Sequence, residues 1–121
     1  MRPIPARVRK QLSEDPEMKQ CLICGSPLVE FDHVFTGLGC KQINEWWAIA
    51  PLCYEHHRGK LRDKTIQRYA QWWCLQRAGK EPEIKYPKTN WRQQRQWLSY
   101  KFEHFKNFKT YVGNSPSKNM P

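Results

Sequence analysis

Residues 21–60 read CLICGSPLVEFDHVFTGLGCKQINEWWAIAPLCYEHHRGK and hold four of the chain's five cysteines and three of its four histidines. Cys21-x-x-Cys24 and Cys53-x-x-His56 each place two zinc-type ligands two residues apart. That is about the shortest loop that lets both side chains reach one tetrahedral ion. Cys21, Cys24, Cys53 and His56 are therefore the candidate ligands of a structural Zn2+. The half-sites are separated by 28 residues, longer than the usual finger spacing, so the insert is expected to carry something of its own. It carries Asp32-His33, and His57 directly follows the last zinc-type ligand. A neutral imidazole can take a proton from water near neutral pH, and a carboxylate can hold a hard divalent ion such as Mg2+. A metal between Asp32 and His57, with His33 as base, is a complete set for hydrolysing a phosphodiester. Redox use of Cys21 and Cys24 is a weaker reading, since no thioredoxin-like βαβ pattern surrounds them.

These residues need elements to hold them. Residues 1–20 read as a basic N-terminal arm, solvated and interrupted by Pro3 and Pro5, with a short helix able to begin within residues 7–12. Gly25 after the second cysteine allows the tight turn of a zinc knuckle. Residues 28–35 alternate as a strand does. The apolar run at residues 46–50 suits a second strand or an ordered loop. Pro51 sits where a helix could begin, which would put Cys53 and His56 on one face and turn His57 about 100° away from them. Ile66, Tyr69, Ala70, Trp73 and Cys74 follow a helical period over residues 63–78, with Gly79 as a stop. Residues 81–88, with two prolines, read as a linker or extended turn. Thr89 or Asn90 can cap a further helix with Trp91, Leu98, Phe102, Phe105 and Val112 on its apolar face. The tail at residues 113–121 is expected to be disordered. Cys40 and Cys74 read as buried thiols and His104 as a surface histidine.

Composition narrows the class. At 121 residues the chain is one domain with extensions, and a mean hydropathy of −0.89 implies a modest core, for which a structural zinc would be a staple. No run approaches the roughly 18 apolar residues of a membrane span, and the basic N-terminus lacks the apolar stretch of a secretory signal. The expectation is a cytoplasmic protein with reduced cysteines. Net charge is +10, but residues 1–57 hold six Lys/Arg against seven Asp/Glu, whereas residues 58–121 hold fifteen against four. Charge so confined suggests a polyanion-binding surface. Arg58, Lys60, Arg62, Lys64 and Arg68, just past the histidines, are the candidate phosphate contacts.

Taken in order, Cys21/Cys24, Asp32-His33 and Leu52-Cys53-x-x-His56-His57-x-x-Lys60 resemble the HNH (ββα-metal) nuclease family in its zinc-stapled form. The resemblance covers about a third of the chain. It implies zinc at Cys21, Cys24, Cys53 and His56, His33 as general base, and Asp32 and His57 on a catalytic Mg2+ or Mn2+. Within the family, His-x-Phe-Thr-Gly followed by Ala-Pro-Leu-Cys-x-x-His-His-x-Gly is similar to small phage and prophage recombination nucleases of the Ref-like (recombination enhancement) type. Two positions depart from the pattern. His56 stands where cysteine is commoner, and zinc accepts either. The central asparagine that orients the loop and the base histidine is Ala48 here, with Asn44 four residues earlier. Another group must then take that role, or activity is weak or lost.

The expectation is an α+β fold: a small zinc-stapled ββα-metal core over residues 21–62, then a basic helical extension over residues 63–112. The expected function is a divalent-metal-dependent DNA endonuclease in phage or prophage recombination, in a bacterial or phage-infected host cell, with DNA and a recombinase filament or other recombination protein as partners. The alternative is a zinc-stapled DNA-binding or recombination accessory module without catalysis.

Overall fold

In the computed structural model, which describes residues 3–36 and 42–103, two short strands carry the centre of the molecule. β1 (Glu30–His33) pairs antiparallel with β2 (Ile49–Leu52), setting Asp32 opposite Ala50 and His33 opposite Ile49. They are joined by a long connection rather than a tight hairpin. Its inner part is pinned, because Val34 N–H donates to the Ala48 carbonyl (3.1 Å) and Ile43 N–H to that of Phe35 (3.4 Å). The run at residues 46–50 divides: Trp46–Ala48 form a 3₁₀ turn and Ile49 opens β2.

Pro51 does not begin a helix. It lies within β2 opposite Phe31, a place a proline tolerates because a two-stranded sheet has only edge strands. The Pro51 carbonyl accepts from Leu22 N–H at 2.8 Å, which ties the cysteine knuckle to the sheet. The helix α2 (Tyr54–His57) starts later, with Cys53 as its extended N-cap.

α3 (Lys64–Ala78) matches the helix read from the periodicity. Asp63 caps it by accepting from Ile66 N–H at 2.9 Å, and Gly79 ends it at φ +60°. Residues 81–88 are not a linker throughout: α4 (Glu81–Lys85) occupies the first part, with Pro82 in its first turn, where a missing N–H costs nothing. In α5 (Trp91–Phe102), Asn90 is the cap, and Trp91, Leu98 and Phe102 are buried as expected. α5 packs on α3, and α3 packs on the Trp46–Ala48 turn. Phe35 and Trp47 meet the Trp91 ring edge-on, at centroid distances of 5.3 and 6.0 Å. One core therefore runs from Cys21 to Phe102, so residues 63–102 share it with the strands instead of standing apart. The fold is α+β. Cys40, His104 and the tail fall outside the described residues, and no helix among those described is long and apolar enough to cross a membrane.

The N-terminal segment corrects the reading of a solvated arm. α1 (Ala6–Ser13) buries Val8 and Leu12, which cluster with Ile4, Met18 and Ile49. Val8 and Leu12 share one face of α1, Ile4 joins them from just before the helix, and burying the three outweighs the charge of Arg7, Arg9 and Lys10. Arg77 of α3 clamps the segment: its guanidinium bonds Asp15 at 2.7 Å, pairs with Glu17, and lies 4.6 Å from the Trp73 ring centroid. Burial pushes the Asp15 carboxyl up, but Arg77 and the Glu17 N–H outweigh it and hold it below its ordinary 3.8. That stabilisation is present above the unfolded value and is lost as pH falls through the lowered one. Arg77→Met should cost about 1–3 kcal/mol in urea unfolding at neutral pH. The difference from wild type should shrink as the pH is taken below about 4, and a pH-independent difference would exclude the clamp.

Candidate functional site

The cysteine knuckle is built by a turn. Gly25 takes φ +80°, a left-handed conformation cheap only for glycine. Gly25 N–H then donates to the Cys21 carbonyl (2.9 Å), and Ile23 N–H points at Cys21 Sγ (3.4 Å). Cys53 and His56, three apart at the start of α2, face this turn. Cys24 Sγ lies 3.8 Å from Cys53 Sγ, and His56 Nδ1 lies 3.2 Å from Cys53 Sγ and 3.8 Å from Cys21 Sγ. All four ligand atoms fall within 4.8 Å of one another. A tetrahedral zinc with its usual bond lengths sets sulfurs roughly 3.8 Å apart, so the cluster fits a metal ion such as zinc. The electrostatics point the same way. Desolvation raises the Cys21 thiol, but surrounding backbone N–H groups outweigh it and hold the thiol below its ordinary range. Cys24 is pushed up to about 11, first by desolvation and then by the neighbouring sulfurs. A cluster that favours one thiolate and resists a second has its conflict removed by a bound dication.

His57, next along α2, turns to the other side, as the helical offset predicts. Glu30 and Asp32 are two apart on β1 and so project from one face of the sheet. His57 lies between them, with Nε2 3.1 Å from Asp32 Oδ1 and Nδ1 2.7 Å from Glu30 Oε1. Asp32 first, and Glu30 with it, raise the His57 pKa above its ordinary value against the opposing effect of burial. Arg58 closes the arrangement from outside. It bonds both Glu30 oxygens, at 3.1 and 2.9 Å, and holds that carboxyl below its usual range. Arg58, expected among the phosphate contacts, is thus engaged with Glu30. Gly59 lets the chain double back, since a Cβ there would approach Glu55 Cα to 2.8 Å.

His33 ends β1 and points toward the connecting loop, where its Nε2 lies 2.5 Å from Asn44 Oδ1. Gln42 also donates to that oxygen, at 3.4 Å. An amide oxygen only accepts, so His33 makes this contact through a proton on Nε2. Asn44 therefore contacts the histidine that Ala48, fully buried, cannot reach with a polar group. Gln71 of α3, largely buried, donates to the Val34 carbonyl (2.9 Å) and accepts from Arg68 (3.3 Å), fixing the backbone just after His33.

Asp32, His33, Arg62, Lys64, Arg68 and Gln71 all line one cleft of about 370 Å3. Three of the five expected phosphate contacts, Arg62, Lys64 and Arg68, border it; Arg58 and Lys60 do not. Three residues at the site went unassigned in the sequence. Glu30 was detectable as the i−2 neighbour of Asp32 on a strand. Gln71 was detectable as a polar residue among the buried positions of α3. Asn44 lay in view but at the wrong spacing. No known family model, curated protein or solved structure matches the chain.

Purified protein should contain about one zinc per chain by metal analysis, as a Cys3His site holds one ion. Chelation should lower the melting temperature, because binding free energy in such a site is folding free energy. Cys53→Ala should do so more severely. A metal-free protein with unchanged melting would exclude a structural zinc.

Proposed function

We propose that this chain is a divalent-metal-dependent DNA endonuclease of the HNH (ββα-metal) type, acting in phage or prophage DNA recombination or processing. The reading is carried by one observation: Asp32 and His33 line one cleft with Arg62, Lys64 and Arg68, and His57 contacts Asp32 at 3.1 Å. The zinc-type cluster sets the position of α2 and so of His57.

Asp32 Oδ1 and His57 Nε2 are the pair that would hold Mg2+ or Mn2+, and their carboxylate-imidazole chemistry fits such an ion. The ion would supply Lewis-acid charge beside the phosphoryl group. Glu30, on the far nitrogen of His57, holds the ring in the tautomer that leaves Nε2 for the metal. His33 Nδ1 takes a proton from a water molecule, and the resulting hydroxide attacks phosphorus in line. The bond from phosphorus to the 3′ oxygen breaks, and that oxygen takes a proton from solvent. The ends are a 5′-phosphate and a 3′-hydroxyl, as the family resemblance implies. Arg62, Lys64 and Arg68 attract the backbone and contact its phosphates. A recombinase filament or other recombination protein is the partner this reading implies.

The competing reading is a zinc-stapled DNA-binding or recombination accessory module without catalysis, and Ala48 at the family's asparagine position favours it. The contact of Asn44 with His33 weighs against it, since it supplies an orienting group by another route. A supercoiled-plasmid nicking assay with Mg2+ or Mn2+ separates the two. His33→Ala should slow cleavage by about 10²–10⁴-fold, with zinc content and DNA affinity near wild type. Glu30→Gln should lower divalent-ion affinity or activity by about 10–100-fold. Affinity for DNA should fall steeply with added salt as counterion release is lost. Absence of cleavage by wild type on duplex, branched and single-stranded DNA, with candidate partners added, would leave the non-catalytic module.

A further inference from the structure

A second groove of about 280 Å3 is lined by Arg68, Gln93, Gln94 and Trp97, and shares Arg68 with the cleft. Trp47 and Trp91 are buried to within 1% of their surface, but Trp97 is 47% exposed. Residues 93, 94, 97, 100 and 101 recur at helical spacing and so share a face of α5, away from the buried Trp91, Leu98 and Phe102. The Arg68 guanidinium lies 5.2 Å from the centroid of the Trp97 ring, and the Lys101 ammonium 6.0 Å from it. Tyr100 beside them is 84% exposed. The core does not use this face. It sets a half-exposed indole ring against two cations, Arg68 and Lys101, that attract phosphates, with two amides able to bond base edges.

An aromatic ring in a cationic groove offers a base a stacking platform. A base inside a duplex has both faces covered by its neighbours, so only an unpaired nucleotide can use the ring. We propose that the α5 groove binds an unpaired stretch of DNA, with a base stacked on Trp97 and the phosphate chain passing Arg68 into the cleft. The preferred substrate is then single-stranded or branched DNA rather than plain duplex. The path into the cleft rests on the nuclease reading above; the stacking does not.

Fluorescence anisotropy with a labelled oligothymidylate and a labelled hairpin duplex tests the stacking without cleavage. Trp97→Leu should weaken oligothymidylate binding by roughly 5- to 100-fold and leave duplex binding unchanged, while Trp97→Phe retains most of the single-strand affinity. An iodouracil-substituted oligonucleotide should photocrosslink to Trp97 in the wild-type protein, which covers the case that Trp97→Leu does not fold. Equal loss on both DNAs, no loss on either, or crosslinks only elsewhere would overturn the inference. Plasmid nicking by the wild type, together with unchanged oligothymidylate binding by Trp97→Leu, would overturn it and leave the nuclease reading intact. The expected binding pattern without nicking of any substrate would do the reverse.

Discussion

A helix of four residues that buries none of its side chains has nothing of its own to keep it in place. α2 is such a helix, too short to be stable through its backbone hydrogen bonds alone. It is held from outside on two sides. His56 reaches into the three cysteines and His57 reaches into Asp32 and Glu30. The histidine half of the site on α2 depends on this double tether. The knuckle fixes the start of α2 through Cys53, and the 100° step from one histidine to the next aims the second at β1. A metal in the cysteine cluster would therefore act at a distance. It would not touch the cleft, but it would set the position of the imidazole that contacts Asp32, which lines it.

The other half of the site is held by apolar packing. His33 and Asn44 sit at the two ends of the segment joining β1 to its return, and each adjoins a buried anchor. Val34 and Phe35 follow His33, and Ile43 precedes Asn44. Phe35 packs against Trp47 and Trp91, so the loop's geometry is referred to α5 far along the chain. Gln71 adds a hydrogen bond from α3. Burying an amide costs unless its partners are supplied, and here both ends of the Gln71 side chain have one. The helical extension is thus part of what positions His33, and the aromatic residues concentrated in it are mostly structural.

Much of this was legible in the residues. Ligand spacing located the cysteine cluster because two-residue loops are a direct geometric requirement of one ion. The helical offset separated His56 from His57 because it depends only on helix geometry. α3 and α5 followed from periodicity, with Gly79 as the stop of the first and Thr89 or Asn90 as the cap of the second. What the sequence concealed was tertiary. Three apolar residues in a basic segment, Ile4, Val8 and Leu12, say little until Ile49 is there to receive them. Pro51 reads as a helix start from local rules, yet an edge strand accommodates it, and only the pairing with Phe31 shows that β2 is an edge. Arg58 reads as a free cation on its own, but Glu30, 28 residues earlier, claims it.

Ala48 stands where the resemblance implies an asparagine. Its side chain is fully buried, at the turn where its carbonyl receives Val34 N–H and its own N–H goes to Glu45 (2.9 Å). An asparagine there would place an amide in an apolar core. Its group would need both a donor and an acceptor, or folding would lose about 1–3 kcal/mol. Asn44 lies outside that core, partly exposed, with its oxygen on His33. The resemblance ties an asparagine to a spacing from Cys53, whereas here the amide that reaches the imidazole is that of Asn44. A loop that folds back on itself can satisfy that reach from a different position, provided its anchors are rigid. Ile43, with no exposed surface, supplies that rigidity directly beside Asn44.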